Sequence, residues 1–272
     1  MSTRRTQPYR GNGSLVELIA KFAMFWIVAY AAGVAIMFSV SFAIIQINKR
    51  HPERKIQKRE PTHSARKDII SSLRQIAVTA TCLAIGFFSQ WKGWTITPVE
   101  LSWWSFPVFF AISVVLHDAW FYAGHRLLHT KALYRFHKPH HMTITPTVWS
   151  NDAGSSVDTL FAHSYYALVL FVIPMPALSL VAHRLFDQIS AIIGHSGYEY
   201  FANATSRAPW PMICVTYHDQ HHSEFVYNYA NYFSWWDRIF GTIHPHYDRI
   251  IQGWEETHAR PHMPKAKEQI DC

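Results

Sequence analysis

Nine histidines form three tight clusters and one single position, and this pattern is the clearest sign of chemistry in the chain. They are His125, His129, His137, His140, His141, His195, His218, His221 and His222. Imidazole is the commonest protein ligand for metals, and helix residues three or four apart share a face. Nine imidazoles are too many for one tetrahedral zinc and suit two octahedral-type ions. Zinc, copper, iron and nickel all accept imidazole, so ligand type alone leaves the metal open.

Two of the clusters share the spacing H-x-x-H-H, at residues 137–141 and 218–222. This is the one internal repeat that the sequence shows. Pro139 interrupts the first copy, and proline is best tolerated at the first position of a helix. The spacing therefore predicts that the 137–141 cluster lies at a helix start.

The composition indicates a membrane protein. Of 272 residues, 15% are aromatic, with eleven Trp, and Trp and Tyr collect at membrane interfaces. A formal charge of +7 and a pI near 9.3 would permit nucleic-acid binding. We exclude nucleic acid because the basic residues do not interleave with a recognition motif. Three widely separated cysteines form neither a disulfide framework nor a metal site, which favours a reducing compartment.

Apolar runs at 22–47, 69–90 and 106–122 predict three membrane spans. A fourth apolar region, 159–193, is broken by Pro174 and Pro176, which predicts a helical hairpin that spans the bilayer wholly or partly. Residues 48–68 hold eight Lys or Arg against three acidic residues, which indicates a cytoplasmic loop. The same loop is a possible contact for anionic lipids or for an acidic electron donor. This topology places every histidine cluster on the cytoplasmic face.

The predicted fold is all-α, with about four to five spans or half-spans capped by a cytosolic, histidine-rich di-metal site. We divide the chain into a disordered basic arm at 1–14, a transmembrane region at 15–104, a catalytic domain at 105–243 and a polar tail at 244–272. The short chain and the absence of a retention signal favour a bacterial inner membrane over the endoplasmic reticulum.

Seven segments give the chain a specific resemblance. They are DAWFY at 118–122, HRLLH at 125–129, LYRFHKPHH at 133–141, HSGYE at 195–199, HDQHH at 218–222, NY at 228–229 and WDRIFGT at 236–242. In order and spacing they resemble the fatty acid hydroxylase/sterol desaturase superfamily of membrane di-iron enzymes. The resemblance implies two non-haem irons, O2 and an external electron donor such as ferredoxin or a cytochrome b5-like protein. It also implies hydroxylation or desaturation of a lipid.

Carried over from the family, all nine histidines fall on metal-binding positions. The chain departs from the H-P-x-E element of many members, since Ser155, Ser156 and Asp158 stand there. This departure leaves the substrate subclass open. Histidine ligands are usually oriented by neighbouring carboxylates, and the candidates are Asp118, Asp219 and Asp237. Candidate residues of a lipid channel are Trp120, Phe121 and Tyr122.

Several functions compete. Hydroxylation of a sterol, isoprenoid, sphingoid or fatty acyl lipid is our leading interpretation, with desaturation at the same site as the alternative. A metal transporter would place its ligands within the spans, whereas these clusters follow them. A zinc hydrolase needs three or four ligands and an open water position, fewer than the chain offers. An inactive binding protein is the fourth interpretation.

Overall fold

The computed structural model describes residues 13–259 and consists almost wholly of helices. The helices are α1 Leu15–Arg50, α2 Ala65–Lys92, α3 Ser105–Leu128, α4 Tyr134–His141, α5 Ser156–Leu168, α6 Ala177–Gly194, α7 Val215–Glu224, α8 Trp235–Ile239 and α9 Tyr247–Ala259. Within the described residues, β-structure is limited to two isolated bridges. The predicted all-α fold is therefore confirmed. The basic arm predicted at 1–14 falls almost entirely outside the described residues.

Helices α1, α2 and α3 are long and apolar enough to cross a membrane, as predicted. At 1.5 Å per residue, the 36 residues of α1 extend about 54 Å, well beyond a hydrocarbon core of about 30 Å. Most of the apolar stretch of α1 is not covered by the rest of the chain, and four of the residues of this helix are buried. Helix α1 therefore leaves most of its apolar surface uncovered by the described chain, as expected of a helix that faces lipid.

The predicted hairpin is formed by α5, a short 3-10 turn at Val169–Phe171 and α6. Its bend contains Pro174 and Pro176, and Pro176 caps the start of α6. The backbone N–H of Val99, in the α2–α3 connection, donates to the carbonyl of Pro174 at 2.9 Å. The side chain of Gln90 donates to the carbonyl of Met175 at 2.9 Å. The hairpin therefore reaches the α2–α3 connection, at the end of the bundle opposite the histidines.

The basic loop packs against the segment that follows His195. The backbone N–H of Ile56 donates to the carbonyl of Gly197 at 3.0 Å, and that of Glu199 donates to the carbonyl of Arg54 at 2.9 Å. Gly197 has a φ of 72°, a left-handed conformation that glycine adopts without strain. The loop and the histidines thus lie at the same end of the helices, in agreement with the predicted topology.

Residues assigned by sequence to a polar tail include the helix α9. Tyr247 and Ile251 on this helix are fully buried and pack in one cluster with Cys214 and Tyr217. Tyr217 lies on α7, next to His218. Part of the predicted tail therefore supports a histidine-bearing helix, because spaced apolar residues anchor a helix that is mostly polar.

Helix α2 lies against α5 at Gly86. A Cβ atom placed there would overlap the backbone carbonyl oxygen of Tyr166. Backbone cannot move aside as a flexible side chain can, so the close contact of α2 with α5 requires glycine at this position. The contact matters for the site because α5 carries Asp158.

We predict that Gly86→Ala lowers the stability of the protein by roughly 1–3 kcal/mol, the usual cost of overpacking. Gly253→Ala is the matched control, since a Cβ at Gly253 meets no atom within 4 Å and α9 would gain a better helix former. Thermal unfolding in detergent would measure both variants. Equal unfolding temperatures for Gly86→Ala and the unchanged chain would contradict the close contact.

Candidate metal centre

Helix α3 positions the first two histidines. His125 lies in its last turn and His129 caps its C-terminus, so the two imidazoles stand one turn apart on one face. Nδ1 of His125 donates to the carbonyl of Tyr229 at 2.7 Å. This bond leaves Nε2 of His125 as an acceptor that points toward the other histidines.

The cluster at 137–141 does not begin a helix, and that prediction was wrong. It occupies the second half of α4, with Pro139 inside the helix. Proline cannot donate to the carbonyl four residues earlier, so this short helix loses one of its own bonds. The helical form places His137 and His141 on one face, with ring centroids 4.6 Å apart, and directs His140 elsewhere. Pro139 is thus accommodated inside a short helix at the cost of one backbone hydrogen bond.

The nine histidines converge in two adjacent groups, within each of which the candidate ligand atoms lie no more than 4.8 Å apart. The five-histidine group is His125, His129, His137, His141 and His221. The four-histidine group is His140, His195, His218 and His222. The ring centroids of His141 and His222, one from each group, are 5.0 Å apart. Two ions bound in these groups would therefore be close neighbours.

The repeated H-x-x-H-H motif explains how two groups arise from three clusters. In each copy, the first and fifth residues lie one helical turn apart and join the same group. The fourth residue of each copy, His140 or His221, joins the opposite group. Helices α4 and α7 therefore each contribute ligand positions to both groups.

Within the groups, ring nitrogens face ring nitrogens. The Nε2–Nε2 distances are 3.0 Å for His125–His137, 3.1 Å for His129–His141, 3.1 Å for His141–His221, 3.0 Å for His195–His218 and 3.0 Å for His218–His222. Five of the rings hold a backbone carbonyl with Nδ1: His125, His140, His195, His221 and His222. A carbonyl only accepts, so these Nδ1 atoms carry the proton and their Nε2 atoms carry lone pairs. In each of these pairs at least one ring lacks such a carbonyl, so the contact is either an N–H···N hydrogen bond or two lone pairs that face a shared cation.

A proton shared between two rings is a poor candidate for such a cation, because these histidines have low pKa values. Burial, and after it the presence of neighbouring histidines, lowers the pKa of His129 and of His195 to about 3. The same causes hold the pKa values of His218, His221 and His222 well below the usual value. These rings are neutral at pH 7, which is the form that binds metals. The donor set therefore fits divalent ions that prefer imidazole.

The three carboxylates predicted to orient the imidazoles accept hydrogen bonds from neighbouring loop segments instead. Asp118 accepts from the backbone N–H groups of Asn231 and Tyr232, at 3.0 and 2.7 Å. Asp219 accepts from the side chains of Gln57 and Arg59, each at 2.9 Å. In the described structure, neither carboxylate hydrogen-bonds to an imidazole. The orienting acceptors are mostly backbone carbonyls, which composition alone does not reveal.

Asp237 reaches the site through one intermediate segment. Its carboxylate accepts from the side chains of Tyr217 and Thr242 and from the backbone N–H groups of Tyr229 and Ala230. The carbonyl of Tyr229 in turn accepts from His125. Asp237 therefore fixes the segment that orients His125, without touching the ring.

Among the described residues, Asp158 is the carboxylate that lies against one of the nine clustered histidines. Its Oδ2 is 3.0 Å from Nδ1 of His137. Ser155, which caps α5, accepts from the backbone N–H of Asp158 at 3.2 Å and donates to the carbonyl of Phe136 at 2.6 Å. The sequence marked Ser155 and Asp158 as a departure from the family element, but did not assign Asp158 to His137. The structure places this shortened element directly beside the five-histidine group.

One cavity of about 440 Å³ adjoins both groups. Its histidine side includes His125 and His137 from one group and His140, His195 and His218 from the other. Apolar side chains, among them Phe186, Ile189 and Phe233, form much of the rest. A mostly apolar cavity beside a metal-type site suits a substrate rich in C–H bonds.

Of the three predicted channel residues, Phe121 lines this cavity. Trp120 is not among the lining residues; its indole N–H donates to the carbonyl of Phe161 at 2.7 Å and its ring is 39% exposed. Tyr122 is buried in the cluster with Tyr217 and is not a lining residue of the cavity either. Trp120 and Tyr122 do not point the same way as Phe121, because residues adjacent in a helix point in directions about 100° apart.

Known proteins resemble the part of the chain that holds this site. Residues 110–242 match the fatty acid hydroxylase family. The chain is 36% identical over 129 residues to methylsterol monooxygenase 1 of Gallus gallus, covering 47% of this chain and 43% of that protein. The corresponding protein of Rattus norvegicus is 34% identical over the same length. The chain therefore spans less than half of these relatives.

A longer match is to the Delta(7)-sterol 5(6)-desaturase erg3B of Aspergillus fumigatus, at 28% identity over 239 residues. It covers 83% of this chain and 67% of that protein. No solved structure is significantly similar to the chain. The matched region includes all nine histidines of the two groups; of the helices able to span a membrane, α1 and α2 precede it and most of α3 lies within it. Residues 110–242 of this integral membrane protein therefore resemble the fatty acid hydroxylase/sterol desaturase superfamily.

Proposed function

We propose that this protein is a membrane-bound, O2-dependent lipid oxidoreductase with two non-haem irons, and that it hydroxylates a lipid C–H bond. The observation that carries the proposal is the convergence of nine imidazoles in two groups beside one apolar cavity. Relatives named as a sterol monooxygenase and a sterol desaturase support this reaction class. Desaturation at the same site is the alternative, because the ligand set does not distinguish the two outcomes.

Different residues would hold the proposed metals, orient the imidazoles and bind the substrate. The five-histidine group would hold one iron and the four-histidine group the other. Two irons, when bound, supply the activation of O2 that attack on an unactivated C–H bond requires. Backbone carbonyls fix the rings through Nδ1, which keeps each Nε2 aimed inward. The apolar walls of the cavity exclude water and hold the substrate carbon near the histidines.

The arrangement is less suited to the other functions. A catalytic zinc uses three protein ligands and keeps a fourth position for water, whereas these groups offer five and four imidazoles. A transporter would hold the ion near the bilayer midplane. Here the histidines lie at the end of α3, directly after α6 or on the short helices α4 and α7.

We also propose that the histidine side is cytoplasmic and that the basic loop receives an acidic electron donor. The loop exposes six cationic side chains, Lys49, Arg50, Lys55, Lys58, Arg66 and Lys67. Arg59 pairs with Asp219, which lies on α7 between two histidines. The loop therefore joins a cationic surface directly to a helix of the metal site.

We predict two irons per chain after anaerobic loading of the purified protein, counted by elemental analysis. The double variant His137→Ala/His141→Ala and the double variant His218→Ala/His222→Ala should each retain about one iron. Each removes an i, i+4 pair from a different group. His246→Ala is the control, because this exposed histidine belongs to neither group. A single tightly held zinc in the unchanged chain would instead support a hydrolase.

We predict that cells expressing the chain accumulate an oxidised lipid that is absent with His221→Ala. Comparative mass spectrometry with sterols, isoprenoids, sphingoid bases and fatty acyl lipids supplied would detect it. A product heavier by one oxygen establishes hydroxylation, and one lighter by two hydrogens establishes desaturation. His246→Ala should behave as the unchanged chain. If no lipid class changes while two irons are bound and a donor is present, the proposed function is wrong.

We predict that replacing the six exposed cations of the loop with Gln raises the KM for an acidic donor about tenfold at low salt. Screening shortens the reach of exposed charges to about 8 Å at physiological ionic strength, so the difference should shrink as salt is added. Turnover with a plant-type ferredoxin and with a soluble cytochrome b5 domain would measure it. Arg249→Gln, an exposed cation on α9, is the control. An unchanged KM at low salt would place the donor elsewhere.

A further inference from the structure

Two short segments at the histidine end of the protein expose large apolar side chains. Phe201, Trp210 and Met212 precede α7, and Ile239 and Phe240 lie at the end of α8. Each of these residues is between 44% and 68% exposed, and we call the five together the apolar collar. A cluster of exposed apolar side chains commonly marks a surface that contacts a membrane or another protein.

The two halves of the collar are joined through Phe233. Met212 pairs with Phe233 in an isolated β-bridge. The ring centroids of Phe233 and of Trp235, the first residue of α8, are 4.5 Å apart. The collar is therefore one connected surface feature.

The first half of the collar is held in place by hydrogen bonds on its inner side. The side chain of Arg207 and the backbone N–H of Ala208 each donate to a carboxylate of α9, at 2.9 and 3.2 Å. The backbone N–H of Ser234 donates to the carbonyl of Pro211 at 2.7 Å. Trp210 is therefore exposed by a segment that is tied to the protein on both sides of it.

The collar segments carry no unpaired charge. The charged side chains are Arg207 in the segment 200–212, and Asp237 and Arg238 in the segment 234–243. The two arginines pair with carboxylates of α9 at 2.9 and 2.6 Å, and Asp237 is buried. The collar therefore differs from the basic loop with its exposed cations, and it suits lipid hydrocarbon better than an acidic protein.

The second half of the collar lies at the membrane end of α3. The indole N–H of Trp235 donates to Asp118 at 3.3 Å, and the ring of Phe240 stacks on Tyr122 with centroids 5.5 Å apart. Asp118 and Tyr122 stand one turn apart in the last part of the apolar run 106–122. The surface of the hydrocarbon core is expected where this run ends, so α8 lies at the level of the membrane interface.

The first half of the collar lies near the end of an apolar face of α6. Exposed apolar side chains spaced by three or four residues mark this face: Leu178, Val181, Leu185 and Ile189. Ile189, close to the histidine end of α6, lines the cavity together with Phe201 and Met212. The exposed face of α6 and the collar therefore meet at the same cavity.

We propose that the apolar collar is immersed in the interface of the membrane that α1, α2 and α3 cross. Elements that lie in a membrane interface bury their apolar side chains about 5–10 Å into the boundary between head groups and acyl chains. Trp210 suits this region, because its ring is apolar and its N–H can bond to head groups. Lipid against Phe201 and Met212 would also keep water away from the cavity that they line.

Fluorescence quenching of the full chain in nanodiscs tests the proposal without metal or turnover. The variants Trp210→Cys and Phe240→Cys are labelled with the fluorophore NBD in a Cys272→Ser background, since Cys82 and Cys214 are buried. Phosphatidylcholine with a nitroxide at carbon 5 of the acyl chain is the quencher in the lipid, and iodide is the quencher in water. Phe201→Cys replaces either variant if that variant does not fold.

Two further positions calibrate the measurement. Phe42→Cys is the lipid-facing reference, because Phe42 is exposed on α1 five residues before the apolar run ends at Ile47. Lys131→Cys is the matched control on the histidine side, because it is exposed in the turn after α3. Leu128 ends α3 and, at 1.5 Å per residue, lies about 9 Å beyond Tyr122 along the helix axis.

Both collar positions should be quenched by the labelled lipid about half as strongly as position 42 or more, and position 131 hardly at all, given the shallow depth of interfacial elements. Iodide should give the opposite order. Quenching by iodide alone at position 210 or 240, as at 131, overturns the proposal. Protection from both quenchers at either position shows that protein, such as a second copy of the chain, covers the collar, and this also overturns it.

Discussion

The structure depends on holding imidazole nitrogens from several helices close together. Nε2 atoms of different histidines stand 3.0–3.1 Å apart, while backbone carbonyls hold the protons on Nδ1 of several of these rings. Where both Nε2 atoms carry lone pairs, a cation between the two rings is favoured, and the low pKa values of His129 and His195 disfavour a proton in that place. The rest of the fold supplies rigid elements that hold these groups together until metals bind. Metal binding and the stability of this end of the protein are therefore expected to be coupled.

Those rigid elements come from both ends of the chain. Helix α3 rises through the predicted membrane region and ends at His129, while α6 returns from the hairpin bend and ends beside His195. Helix α7 is supported by α9 through Tyr217 and Tyr247, whose ring centroids are 5.3 Å apart. The basic loop is joined to α7 by the hydrogen bond from Gln57 to Asp219. Segments that are far apart in sequence thus meet at one metal-type site.

The cavity relates this site to a lipid substrate. Its walls are mostly apolar, and the charged residues on them are concentrated in one patch around Arg184. Arg184 and Asp187 pair with each other at 3.1 Å, so most of that charge is internally balanced. The cavity is therefore mostly apolar with little unbalanced charge, which suits the lipid substrate proposed above.

The sequence alone predicted the spans, the hairpin and the nine histidines, because hydrophobic runs and ligand spacing are local properties of the chain. It also predicted that the basic loop and the histidines lie on the same side of the membrane, because the number of membrane crossings between two segments determines whether they are on the same side. The division of the histidines into groups of five and four required the tertiary structure, because it depends on how α3, α4, α6 and α7 are oriented around one another. The helical placement of Pro139, the contact of Asp158 with His137 and the loop-holding role of Asp118 were decided in the same way. The contacts of Asp158 and Asp118 join segments that are far apart in the chain, so spacing within the sequence does not determine them.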